Sequence, residues 1–171
     1  MIQGNDFSII SSTSHGPKPP RDTYSVRFTT VLKGMTALRL EALTFEELPK
    51  GGPGRHPDGG FVVSEMEVRD AAGRPLTLRN ASASTPEDPK GRSGAGQAID
   101  GRSETGWVLA IADGESHRLV VELAEPLGTS EETSLTLTLR QNAGELRTLG
   151  RFRLAATTEA LPVRTEPGLE A

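Results

Sequence analysis

Ser134-Leu135-Thr136-Leu137-Thr138-Leu139-Arg140 decides the fold class. Leucine and a polar residue alternate without a break. A period of two puts Leu135, Leu137 and Leu139 on one face of a half-buried strand. The same period recurs on both sides of this stretch. Tyr24, Val26 and Phe28 alternate with polar residues, and Leu38, Leu40 and Ala42 flank Arg39 and Glu41. In Phe61–Val68, the residues Val62, Met66 and Val68 oppose Glu65 and Glu67. Leu119, Val121 and Leu123 repeat the pattern, and Phe152, Leu154 and Ala156 close it. Weaker candidates are Phe7–Ser11, Leu76–Arg79 and Trp107–Ile111. Helical spacing is nearly absent. Ala42–Pro49 offers one helix-like turn, which Pro49 is expected to stop. Many short strands separated by Gly/Pro turns predict an all-β antiparallel sandwich or barrel.

The chain has 171 residues, enough for one domain. With 35% apolar and 4% aromatic residues, aliphatic side chains must carry the core. There is no cysteine, which excludes a disulfide framework, a thiolate metal site and a cysteine nucleophile. The 19 basic and 23 acidic residues give a net charge of −4, with no footprint for nucleic acid. No run reaches the ~18 apolar residues of a membrane span. Residues 1–6 have neither a basic nor an apolar signal-peptide region. The expected domain is 1–158, with 159–171 a linker or tail marked by Pro162 and Pro167.

Two long loops break the strand pattern. Thr44–Gly60 carries Gly-Gly-Pro-Gly-Arg55-His56-Pro-Asp-Gly-Gly, and Asn80–Gly106 holds seven of the chain's prolines and glycines. Loops of this length are functional or inert crossovers. The usual catalytic sets are missing. His15, His56 and His117 lie far apart with no zinc spacing, and no nucleophile elbow or P-loop occurs. His15 sits in a Gly/Pro stretch with no assigned role. No enzyme activity is expected.

Ala98-Ile-Asp100-Gly-Arg102-Ser-Glu-Thr105-Gly-Trp107 is the most specific segment. Carboxylate, hydroxyls and turn carbonyls lie close together there. This set suits a hard cation, and it also suits a turn capped by Asp100. Arg55 and His56 form the best pair of polar groups for orienting a sugar, with Arg102 and His117 next. Arginine donates in a fork to carboxylate, sulfate or vicinal hydroxyls. That motivates an acidic or sulfated glycan. The other reading of Arg55 is a hydrogen bond tying the glycine-rich loop to the sandwich.

The Ala-Ile-Asp-Gly…Thr-Gly-Trp element resembles discoidin-type, galactose-binding-like β-sandwich domains, which include the family 32 carbohydrate-binding modules. Leu78–Ser84 resembles the strand before the family's loop. Val63-Ser64-Glu65-Met66-Glu67-Val68 and Thr36–Glu41 resemble its last strands, displaced forward as in a permuted sandwich. A further resemblance spans nearly the whole chain. Asp22–Val26, Ala37–Leu43, Leu48–Arg55, Gly60–Glu65, Ser116-His117 and Leu149–Leu154 are similar to a module of large planctomycete proteins with a cytochrome-c-like segment.

The resemblance implies a jelly-roll sandwich and a non-catalytic, carbohydrate-binding module in an exported, periplasmic or extracellular, bacterial multidomain protein. The alternative is a structural or interaction domain packing against neighbouring domains of its parent. It also implies a structural calcium ion held by Asp100, Thr105 and Glu65. The tryptophan of the motif, here Trp107, belongs to the core in that family pattern.

Overall fold

The structure is a computed structural model, and it describes residues 2–3, 6–11, 19–86, 93–128 and 131–163. His15 and the tail from 164 onward fall outside them. The described chain is all-β, with antiparallel pairing throughout and no α-helix.

Eleven strands follow in order: β1 (Ile2–Gln3), β2 (Ile9–Ile10), β3 (Asp22–Thr30), β4 (Met35–Ala42), β5 (Phe61–Val63), β6 (Glu65–Asp70), β7 (Leu78–Ala83), β8 (Trp107–Leu109), β9 (His117–Leu127), β10 (Thr133–Gln141) and β11 (Arg151–Thr157). One sheet has six strands in the order β1-β2-β11-β4-β9-β7. A second has three, β3-β10-β6, and β5-β8 form a separate ribbon.

The two larger sheets face each other in a sandwich-like arrangement. Leu38, Leu40, Leu119 and Val121 from the first meet Tyr24, Met66, Val68, Leu135, Leu137 and Leu139 from the second in one buried cluster. Tyr24 stacks on Phe152 across the gap with ring centroids 5.6 Å apart, and its hydroxyl donates to the Leu149 carbonyl at 2.7 Å. An aromatic otherwise lost among aliphatics thus keeps its polar end satisfied. The leucine face of β10 is at most 1% exposed, as its alternation requires.

Three local readings change. The run Phe61–Val68 is not one strand. It breaks at Ser64, so β5 joins the ribbon and β6 joins β10. Ser64 holds the break: its N–H donates to the Arg140 carbonyl and its hydroxyl accepts the Asn142 N–H. Because β5 is covered on both faces, Phe61 and Val63 are as buried as Val62, and alternation fails there. Pro49 does not stop a helical turn; it begins a short 3-10 turn, Pro49–Gly51. Proline's missing N–H and fixed φ suit the first position of such a turn. A second 3-10 turn, Gly96–Ile99, had no signal in the hydrophobic pattern.

Residues 159–163 are held to the sandwich. The Thr36 hydroxyl donates to the Glu159 carbonyl at 2.7 Å, and the Val163 N–H donates to Glu122 at 3.1 Å. Glu122 itself is only 1% exposed, and Asn80 also donates to it at 2.7 Å.

Candidate functional site

Four of the seven residues singled out in the sequence meet at one place. They are Glu65, Asp100, Arg102 and Thr105. Glu65 opens β6, an edge strand of the three-stranded sheet. The others lie on the turn that follows the Gly96–Ile99 segment. Ala98 is fully buried and anchors that turn, so the polar residues after it project at the surface.

Asp100 closes the turn on itself. Its carboxylate accepts the Thr105 hydroxyl at 2.9 and 3.0 Å and the Arg102 N–H at 2.9 Å. Gly101 has φ +77°, the left-handed conformation that an Asp-Gly turn favours, and its N–H donates to Glu65 at 3.0 Å. That bond joins the turn to β6. Burial, assisted by the negative charges of Asp100 and Glu67, raises the Glu65 pKa to about 7, against the opposing Gly101 N–H and Arg140. Two carboxylates therefore share one partly dry corner.

Beside this corner lies a cleft of about 580 Å³. Its rim carries Glu65, Glu67, Arg69, Arg102, Arg140 and Asn142, and Leu76, Leu78 and Ile99 supply apolar floor. The arginines on the rim are paired. Arg140 donates to Glu67 at 2.9 Å, Arg69 lies 3.4 Å from Glu67, and Arg102 lies 3.0 Å from Glu104. Arg140 and Arg69 hold Glu67 below the usual carboxylate range, with the Arg140 hydrogen bond the largest cause. Each guanidinium keeps spare N–H groups beyond its one carboxylate.

The other three residues lie elsewhere. Arg55 is 4% exposed, inside the fold. It donates to the Ser11 hydroxyl at 3.3 Å and lies 3.9 Å from Asp22, and its Nε has no partner. His56 packs against Asp58, with Nδ1 2.6 Å from the carboxylate. Asp58 also accepts the Gly60 N–H at 2.8 Å and Arg147 at 3.0 Å. Burial works against its charge, but these donors outweigh burial and depress its pKa.

His117 is 5% exposed, between Asp113 at 3.0 Å and the Ser84 hydroxyl at 3.4 Å. Sequence spacing gave no hint of this hydroxyl–imidazole–carboxylate string, because Ser84 lies 33 residues from His117. The Ser84 oxygen also accepts the Arg118 N–H at 2.9 Å, and His117 lines neither the cleft nor the groove described below. The string ties β7 to the start of β9.

Trp107 is in the core. It is fully buried, meets Phe61 edge to face at 4.8 Å and donates its indole N–H to Thr85 at 2.9 Å. Among the described residues no three His, Cys, Asp or Glu side chains gather as a metal-binding group. Arg140 and Asn142, which complete the cleft, gave no signal in the sequence. Only the pairing of β10 with β6 brings them there. Comparison with family models, curated proteins and solved structures finds no match.

Proposed function

We propose that this chain is a non-catalytic carbohydrate-binding module of galactose-binding-like, jelly-roll type, working within an exported multidomain protein. One observation carries the reading: residues from two distant parts of the sequence, Glu65 and Gly101–Ser103, converge on a single polar-rimmed cleft, on a turn that Asp100 and Thr105 close behind it. A pyranose offers vicinal hydroxyls and an apolar face, and the cleft offers paired planar groups above an aliphatic floor. Because each rim arginine already faces a carboxylate, the cleft has spare donors without strong net positive charge. That favours neutral sugar hydroxyls over a sulfate group. Arg102 and Arg140 supply the donors, and Glu65 accepts. Arg55, His56 and His117 lie outside this cleft and support the frame around it.

A calcium ion belongs to the same proposal. The corner holds two carboxylates, Asp100 and Glu65, and the Thr105 hydroxyl, all oxygen donors of the type a hard cation takes. These side chains would hold the ion, with turn carbonyls completing its shell. The ion would fix the turn that bears Arg102.

Affinity electrophoresis against a panel of neutral and acidic polysaccharides tests the reading. Retardation on a neutral glycan is expected, abolished by Arg102→Ala or Arg140→Ala with the melting temperature unchanged. No retardation on any gel overturns it. For the ion, added Ca²⁺ is expected to raise the melting temperature and EDTA to reverse this, with Asp100→Ala indifferent to both. A melting curve blind to Ca²⁺ removes the metal from the proposal.

A further inference from the structure

On another side of the sandwich the two large sheets do not close. β3 pairs with β10 along all nine residues, and among the described residues its other edge pairs with nothing. β11 pairs with β2 only at Arg151 and Phe152, so among the described residues Arg153–Thr157 also present a free edge. Between these edges runs a groove of about 620 Å³. Val26, Phe28, Leu38, Leu137, Leu154 and Ala156 line it. Four large apolar side chains are exposed among the described residues. Phe7 (75%) and Leu32 (38%) line this groove, and Val31 (72%) adjoins Leu32. Apolar exposure concentrated in this way marks an interaction surface.

Edge strands are normally guarded by proline, a bulge, several charges or a covering segment. β3 has no proline, and its register with β10 is continuous. Its only charged residue beyond the first is Arg27, which is exposed, has no ion-pair partner among the described residues, and is the only charged side chain lining the groove. We infer that this groove binds an extended segment of another polypeptide, which adds as a strand beside β3. Its apolar side chains, at alternate positions, fill the groove, and an acidic residue faces Arg27. Backbone pairing supplies the attachment, and the alternate pockets supply selectivity.

Charge decides against a second copy of this chain. In the central register of a self-paired β3, Arg27 of one copy faces Ser25 of the other. The two Arg27 side chains then lie on a same-face diagonal, close enough to repel. The surface is separate from the glycan cleft, and neither proposal depends on the other.

Fluorescein-labelled nine-residue peptides provide the test: Thr-Val-Thr-Val-Asp-Val-Thr-Val-Thr and its counterpart with Lys at the centre. By fluorescence anisotropy the intact chain is expected to bind the Asp peptide about threefold more tightly than the Lys peptide, the scale of a cross-strand charge pair. Arg27→Glu, at an exposed position, is expected to reverse that preference. Amide shifts should fall on Asp22–Thr30 and Arg153–Thr157. No anisotropy rise with either peptide overturns the proposal. So does a preference unmoved by Arg27→Glu, or amide shifts confined to other strands. A dimer in light scattering that involves β3 also overturns it, in favour of self-pairing.

Discussion

Gly54 and Gly60 in the first glycine-rich loop and Gly101 in the second do opposite work. In the first loop, 44–60, Gly54 and Gly60 are means of close packing. A Cβ on Gly54 would stand 1.9 Å from the Gly60 carbonyl oxygen, and one on Gly60 would stand 2.4 Å from that of Leu109. Backbone lies against backbone, Gly54 bridges to Leu149, and Arg55 is drawn inside. In the second loop, Gly101 has open space around its Cβ position and needs only its left-handed φ. The Asp-Gly turn satisfies its own backbone and leaves Arg102 facing water. Glycine count therefore says little about a loop's role. What matters is whether the missing Cβ makes room for another backbone or only permits a turn.

The largest effect that can break this contrast comes from the glycines. Gly54→Ala is expected to cost about 3 kcal/mol or more, because neither backbone can move aside. Gly101→Ala is expected to cost about 1 kcal/mol, from backbone conformation alone. For a domain of this size these losses are roughly 10 °C and 3 °C in melting temperature. Equal losses would end the distinction.

Next come the arginines. Arg55→Ala leaves Asp22 and Ser11 short of a partner and is expected to lower stability by about 3 kcal/mol in urea unfolding. An exposed pair such as Arg102–Glu104 contributes little. A fully stable Arg55→Ala variant would move Arg55 out of the frame.

The smallest effect sharpens the picture of the second loop through pH. Glu65 holds its proton more firmly folded, at about 7, than unfolded, near 4.5. Its contribution is thus greatest at low pH, and stability is lost as pH rises from 4.5 to 7. Glu65→Gln should flatten that slope and stabilise the chain above pH 7, by about 1 kcal/mol after solvent screening. An unchanged slope would show that Glu65 titrates normally.

Most of the strands were legible because one face of each is dry and the other wet. That is why Leu135, Leu137 and Leu139 announced β10 on their own. The reading failed where both faces are covered. Nothing in Phe61-Val62-Val63 distinguishes the start of a long strand from a short ribbon, and the break depends on Ser64 meeting Arg140 and Asn142, over 70 residues away. The site was half legible for the same reason. Asp100, Arg102 and Thr105 form a local turn that the sequence displays. Glu65 is joined to them through one N–H, and Arg140 arrives only by strand pairing. Arg55 was ambiguous because residue type and glycine neighbours do not reveal which way a guanidinium turns.

Trp107 has a practical consequence. It is the only tryptophan in the chain. It is shielded completely, and its indole N–H is bonded to Thr85, on the far side of the same long loop. Its emission is a single-channel optical readout, blue-shifted while that loop stays docked and red-shifted when water reaches the ring. Only Gly106 separates it from Thr105, so events at the Asp100 turn can be followed by light in the unlabelled protein.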